Sequence, residues 1–323
     1  MPANAASHAV EVRELKKTYG EVVAVNGISL KVEAGELFGF LGPNGAGKTT
    51  TVNILTGVSL PTAGSASIHG HDVVKDSFRA KESINVVPEV SNAYNEYTAW
   101  KNLMFTGALY GVSRKETARR AGELLSAFDL YDKRDLKVRG FSQGMRRKLV
   151  IAMALINEPR VLFMDEPTTG LDVQSVRTIR EMVRELNRTG ITIFLTTHNL
   201  VEANLLCDRV AIINHGRIVA TDTPENLKRA ARSVQVVEIS FDRMAPEIYS
   251  DTASLAGIKE VSRQGDKLRL LTDEPSAAIS SLTRFAHERG LEIAYINTPG
   301  PSLEDVFVEL TGIDTSAGED GKA

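Results

Sequence analysis

The run Gly42-Pro43-Asn44-Gly45-Ala46-Gly47-Lys48-Thr49-Thr50 has residue types and spacing suited to holding a chain of phosphates. It fits the pattern G-x-x-x-x-G-K-[ST]. Its glycines let the backbone wrap closely around an anion with the N–H groups turned inward. The helix start that follows adds roughly half a positive charge. Lys48 is placed to reach the β- and γ-phosphates, and Thr49 to offer its hydroxyl to Mg²⁺. An ordinary glycine-rich turn before a helix would leave the Lys-Thr pair at this offset unexplained. The loop therefore predicts that the chain binds a nucleoside triphosphate, and it says nothing of the purpose.

A second group of residues supplies the rest of a hydrolytic site. Val161-Leu162-Phe163-Met164 is an apolar strand that ends in Asp165-Glu166. Open α/β sheets place their ligand crevice at such strand ends. Asp165 would hold Mg²⁺, directly or through water. Glu166 would orient and deprotonate the attacking water. His198 follows another apolar strand and its threonines, where a neutral imidazole could hydrogen-bond a γ-phosphate. Ser142, in Phe141-Ser142-Gln143-Gly144-Met145, is a candidate N-cap for a helix over 146–156, and Gly144 permits close backbone approach. That helix start is a further anion site.

These residues need a frame. Val10 to Val32 alternates apolar and polar residues around Gly20-Glu21 and predicts an antiparallel hairpin. Leu37–Leu41 reads as a buried strand entering the phosphate loop, and Thr50–Leu55 as the helix leaving it. Further strands are expected at Ser65–His69, Ile84–Val87, Ile191–Leu195, Val210–Ile213 and Arg217–Ala220, with a helix at Val173–Leu186. From Thr98 to Phe128 the periodicity becomes helical, with Trp100, Leu103, Met104 and Ala108 on one stripe. Strands alternating with helices argue for a mainly parallel sheet covered on both faces. Near Lys228 to Ser233 the character shifts to a small α+β pattern that runs to about Leu310. Residues 1–9 and 313–323 read as disordered ends, with 10–232 and 233–312 as the two domains between them.

Composition narrows the setting. A chain of 323 residues exceeds one ordinary core, and a formal net charge of −3 gives no global reason to expect nucleic acid as the partner. The single cysteine, Cys207, forms no intrachain disulfide and fits a reducing compartment. Met1 to Ala9 lacks the basic-then-apolar pattern of a secretory leader, and no apolar run approaches the roughly 20 residues that span a bilayer. A membrane role would have to come through a partner.

Taken together, the motifs resemble the ATP-binding subunit of an ATP-binding cassette (ABC) transporter of the drug-exporter-like, ABC-2 type. The resemblance covers about Val10 to Lys228 in the family's order and spacing. It implies a P-loop NTPase cassette of the α/β class. That cassette has an antiparallel β subdomain and a helical insert (about 95–158), and a small α+β C-terminal domain follows it. Tyr19 matches the residue that stacks on adenine, Pro88-Glu89 falls in the Gln loop, and Phe141 to Met145 matches the signature. Thr169-Gly170-Leu171-Asp172 matches the loop that faces the other cassette, and His198 the switch histidine. In the family, two cassettes sandwich two ATP molecules between phosphate loop and signature. Gly42 to Thr50, Ser142, Gln143, Gly144 and Asp172 would thus touch nucleotide, with Thr49, Asp165 and Glu89 at the metal.

Two departures stand out. The signature reads Phe-Ser-Gln-Gly-Met, in the manner of the drug-exporter branch, and Glu89 replaces the usual Gln. A carboxylate at Glu89 brings a full charge toward the triphosphate. The tract Tyr94, Tyr97, Trp100 and Phe105 is either a groove for the coupling helix of a permease or part of the insert's core. The resemblance implies an ATP hydrolase with ATP and Mg²⁺ as ligands, a separate transmembrane permease, a second cassette, and a place on the inner face of the cell membrane. The competing reading is a soluble ABC-type ATPase acting on nucleic acid or ribosomes. Such proteins usually carry two cassettes or a long coiled-coil insertion, and this chain carries one cassette with a short helical insert. A GTPase is disfavoured because no Asn-Lys-x-Asp motif follows Asp165.

Overall fold

Strands β1 (His8–Tyr19) and β2 (Val22–Glu33) pair antiparallel, with Tyr19 opposite Val22 across the Gly20-Glu21 turn. Pairing starts two residues earlier than the alternation predicts: His8 lies opposite Glu33, and Ala9 is fully buried. The computed structural model describes residues 8–230, 235–243 and 246–312. The expected disordered ends, residues 1–7 and 313–323, lie outside the described residues.

All five residues of β3 (Leu37–Leu41) are buried, as a strand flanked on both sides by parallel neighbours requires. The chain continues through α1 (Lys48–Leu55), β4 (Ala63–Ile68), the two-residue β5 (His71–Asp72), α2 (Ser77–Glu82) and β6 (Ile84–Val87). The helical insert follows as α3 (Ala99–Leu109), α4 (Arg114–Ala127) and α5 (Gln143–Ala154). Then come β7 (Val161–Asp165), α6 (Val173–Arg188), β8 (Thr192–Thr197), α7 (Leu200–Leu206), β9 (Arg209–Asn214) and β10 (Arg217–Asp222). The central sheet runs β10-β9-β3-β8-β7-β6, parallel throughout except for β10 at its edge. A second sheet, β2-β1-β4-β5, is antiparallel. Phe194 stands at the centre of the core, with Phe38, Phe40 and Phe163 at ring-centroid distances of 5.6, 5.5 and 5.4 Å.

In the insert the buried face of α3 is not the stripe that its apolar residues predict. Ala99, Asn102, Leu103, Thr106 and Gly107 are buried; of the predicted stripe only Leu103 is among them, Trp100 and Met104 being half-buried and Ala108 exposed. Asn102 is fully buried because it accepts the N–H of Tyr94 at 2.8 Å and donates to its carbonyl at 3.1 Å. Gly107 faces Thr117 of α4 with no room for a Cβ between them. Polar satisfaction and close approach thus outweigh simple hydrophobicity.

A second unit begins at Pro224. It comprises α8 (Pro224–Ala230), β11 (Gln235–Phe241), α9 (Pro246–Ala253), β12 (Glu260–Gln264), β13 (Lys267–Thr272), α10 (Pro275–Arg289), β14 (Ile293–Asn297) and α11 (Leu303–Thr311). Its sheet, β12-β13-β11-β14, is antiparallel, and its core gathers Val237, Ile239, Leu268, Leu270, Leu282 and Phe285. Helix α8 belongs here rather than to the first domain, because it packs against α11. The boundary therefore falls before the composition shift, at Thr223–Pro224.

Candidate active site

The loop between β3 and α1 closes on a lysine. Gly47 caps α1 with φ at 108°, a left-handed conformation open to glycine, and a Cβ there would collide with the Ala24 carbonyl oxygen. Lys48 is buried, and its Nζ donates to the carbonyls of Gly42 at 2.6 Å and Pro43 at 3.2 Å. Burial holds the ammonium's pKa below its usual value, against Glu166, Asp165 and Glu89, which pull it up. Pro43, Asn44, Gly45, Gly47, Lys48, Thr49 and Thr50 line a cavity of about 320 Å³. Glu89, Asp165, Glu166, Thr169 and His198 line the same cavity from other elements. Gly42 and Ala46 are buried and are not among its lining residues.

Asp165 and Glu166 stand at the end of β7. The Thr196 hydroxyl of β8 donates to Asp165, and the Glu166 N–H donates to the Thr196 carbonyl at 3.0 Å. Glu166 has φ at 47°, in the left-handed region that a non-glycine residue rarely takes. This turn aims its carboxylate back into the cavity. Oε1 lies 2.9 Å from Nδ1 of His198 and 3.8 Å from Nζ of Lys48, and Oε2 accepts from the Thr169 hydroxyl at 3.4 Å. Burial works to raise the Glu166 pKa, but the hydrogen bond and charge of His198 and the Lys48 ammonium outweigh it, so the carboxyl sits below its usual value. His198 moves the other way: its bond to Glu166 raises its pKa above 6.5 against the desolvation that lowers it. The histidine expected as a neutral phosphate partner is therefore paired with the acid expected as the base.

The remaining expected residues lie off this cavity. Tyr19 is 49% exposed and has Lys17 Nζ 4.7 Å from its ring centroid. Ser142 caps α5 by accepting the Met145 N–H at 3.2 Å; Ser142 and Gln143 are exposed and Gly144 is buried. Asp172 caps α6, accepting the Ser175 N–H at 2.9 Å and its hydroxyl at 2.7 Å. None of these groups lines their own chain's phosphate-loop cavity. Two contributors were not legible in the motifs. Thr196 orients both acids, and Arg147 of α5 donates to the carbonyls of Pro88 at 2.6 Å and Glu89 at 2.7 Å. Trp100, Met104 and Phe105 line a separate groove of about 610 Å³ on the insert, and Phe105 packs edge-on to Tyr94 at 5.3 Å.

A metal fits this donor set only with help. Thr49, Glu89 and Asp165 line one cavity with Lys48 among them. Among the described residues, no group of three or more His, Cys, Asp or Glu side chains is arranged to hold an ion alone. A Mg²⁺ ion would complete its oxygen shell with phosphate and water, as is usual for this ion.

A parallel sheet, a lysine-closed phosphate loop and a strand-end acid pair at its mouth define a P-loop ATPase cassette. The chain belongs to the ATP-binding proteins of ABC transporters. Residues 25–169 match the ABC transporter family. The chain is 38% identical to the Nod factor export ATP-binding protein I of Ralstonia nicotianae over 94% of each chain. It is 34% identical to the linearmycin resistance ATP-binding protein LnrL of Bacillus subtilis, over 94% of this chain and 98% of that one. Among solved structures, the ATP-binding subunit of an ABC transporter matches with a TM-score of 0.63 at 31% identity, over 69% of this chain and 93% of that one. A dimeric cassette in a post-hydrolysis state with ADP and Pi matches with a TM-score of 0.60 at 26% identity, over 66% and 98%. The chain is an ATP-hydrolysing subunit. None of the described helices is long and apolar enough to cross a membrane.

Proposed function

We propose that this chain drives export through a separate transmembrane permease, bound to the inner face of the cell membrane by that partner, with Glu166 as catalytic base and His198 as the γ-phosphate partner. The observation that carries the assignment is the Glu166 carboxylate, buried and turned into the phosphate-loop cavity within 2.9 Å of His198. Relatives named for Nod factor export and for linearmycin resistance support the outward direction.

The chemistry follows from the bonds already described. On ATP binding, Lys48 exchanges the Gly42 and Pro43 carbonyls for β- and γ-phosphate oxygens. His198 leaves Glu166 for the γ-phosphate, and Tyr19 stacks on adenine. The freed carboxylate of Glu166 takes a proton from water as the water oxygen bonds to the γ-phosphorus, and the bond to the β–γ bridging oxygen breaks. Mg²⁺, held by Thr49 and Asp165 with Glu89 nearby, would neutralise charge on the phosphates. Glu166→Gln should bind ATP yet turn over ~10²–10⁴-fold more slowly, whereas Lys48→Ala should weaken ATP binding itself. Steady-state hydrolysis by Glu166→Gln near the wild-type rate would remove it from the role.

Ser142, Gln143 and Asp172, exposed and outside their own cavity's lining, and Gly144 beside them fit contacts with the nucleotide of a second copy. The Glu166→Gln protein should shift from monomer to dimer in light scattering when Mg-ATP is added, and adding Ser142→Arg should block the shift. A trapped variant that stays monomeric would count against an ATP-dependent homodimer. The aromatic groove of Trp100, Met104 and Phe105, left open on the surface of the insert, suits the apolar face of a permease helix. The unit that starts at Pro224 is an accessory domain supporting dimerisation or regulation.

A further inference from the structure

Glu202, in the first turn of α7, is a fully buried carboxyl with no task in the hydrolysis described above. A buried carboxylate is costly unless it is paired and fully hydrogen-bonded. Neither of its oxygens has a partner in full hydrogen-bond geometry, although the Thr168 and Thr197 hydroxyls stand close enough to act on it as weak donors. Nε of Arg180 stands 3.6 Å from Oε1 and is itself buried without a hydrogen-bond partner. Burial pushes the Glu202 pKa up, while the hydroxyls of Thr168 and Thr197 and the charge of Arg180 pull it down. The carboxyl thus sits among three elements and is fully bonded to none.

Each of those elements carries part of the site. Thr168 lies two residues beyond Glu166. Thr197 directly precedes His198, and its hydroxyl accepts the N–H of Asn199 at 2.9 Å. Asn199 in turn accepts the N–H of Glu202 at 2.9 Å, so α7 is tied to the histidine's own segment. Arg180 projects from α6, the helix that starts at Asp172. The start of α6 is packed tightly by α5: a Cβ on Gly144 would collide with the Ser175 hydroxyl, and Ser175 is bonded to Asp172.

We propose that Glu202 is a positioning residue for ATP hydrolysis: its carboxyl draws onto Arg180, Thr168 and Thr197 in the nucleotide-bound cassette and so fixes Glu166 and His198 relative to α6. A buried group short of its hydrogen bonds gains from a small inward movement of its neighbours, and contacts around a reaction site commonly tighten only with substrate bound. A displacement at the signature helix or at Asp172 then reaches the catalytic pair through α6, Arg180 and Glu202. The inference rests on the assignment of Glu166 and His198 as the hydrolytic pair.

The test measures MgATP hydrolysis and melting temperature on the full-length protein. Glu202→Gln should lower kcat at least about ten-fold with KM changed less than about two-fold, since loss of positioning acts on the transition state. The double variant Arg180→Met/Glu202→Leu replaces the buried pair by apolar groups of similar shape and should recover the melting temperature, while kcat stays low. Arg184→Met removes a hydrogen bond between α6 and α7, to the Leu205 carbonyl at 2.8 Å, and should leave kcat near wild type. A kcat that returns with the melting temperature in the double variant would overturn the proposal, as would a Glu202→Gln loss expressed wholly in KM. Absence of turnover in the wild type, or normal turnover by Glu166→Gln, would instead overturn the assignment of the catalytic pair.

Discussion

Glu166 meets His198, Lys48 and Thr169 at once. The carboxylate proposed as the base is thus bonded to the histidine and lies near the lysine proposed to bind phosphate. The mutual shifts give a measurable sign. The bond to Glu166 raises the His198 pKa above 6.5, and burial opposes it only in part. The pairing therefore stabilises the fold between the lowered pKa of Glu166 and the raised pKa of His198. It is lost as pH rises through the histidine's pKa or falls through the glutamate's. In nucleotide-free protein without metal, the His198 imidazole followed by NMR should titrate above 6.5, and Glu166→Gln should bring it down toward that value. An unchanged titration in Glu166→Gln would show that the contact does not persist in solution. The motif residues were legible because a phosphate loop and a strand-end acid pair are local patterns. Thr196 and Arg147 were not, because they reach Asp165 and Pro88 from 31 and 59 residues away. Glu202 was equally silent, since no local pattern marks a glutamate whose partners lie on other elements.

Between elements, strands were easier to read than helix faces. Leu37–Leu41 forms over the residues its apolar run predicts, because a parallel strand buried on both faces needs an unbroken apolar run. Ile84–Val87 forms as predicted at the sheet edge, with its inner polar residue, Asn85, bonded to Asn157 and Tyr110. Helix α3 misled, since its inward Asn102 is satisfied by Tyr94 and its outward Trp100 lines a groove. The short helices α2 and α7 carry too little periodicity to read. Arg147 shows how elements are tied once formed: it joins α5, the signature helix, to the segment that follows β6. Bonds involving a charged group contribute about 1.5–3 kcal/mol each. Arg147→Met keeps the apolar stem and removes both. Limited proteolysis within residues 88–92 should then accelerate roughly ten-fold or more, while the interior of α5 stays uncut. Unchanged cleavage there would mean that the Glu89 segment is held by something other than Arg147.

The whole chain divides into two units with separate interiors. In the first, Phe38, Phe40, Phe163 and Phe194 share one apolar cluster with residues of β1, β2 and α1. In the second, Val237, Ile239, Leu268 and Leu282 share another, and Arg269 bridges Glu238 at 3.4 Å and Asp305 at 2.5 Å. Every residue proposed to touch nucleotide or metal or to act in hydrolysis lies between Tyr19 and Glu202, inside the first unit. A unit with its own core and a complete half-site should fold and bind nucleotide alone. A chain stopped after Thr223 should therefore unfold cooperatively and bind Mg-ATP with affinity within about three-fold of the full-length protein, since roughly 0.7 kcal/mol separates a three-fold change. If the second unit supports pairing of cassettes, the same truncation carrying Glu166→Gln should need higher protein concentration to dimerise with Mg-ATP. Calorimetric titration and light scattering read the two effects separately. A truncated chain that melts cooperatively yet fails to bind Mg-ATP would show that the nucleotide site depends on residues beyond Thr223. Equal dimerisation with and without those residues would leave the second unit a role other than pairing.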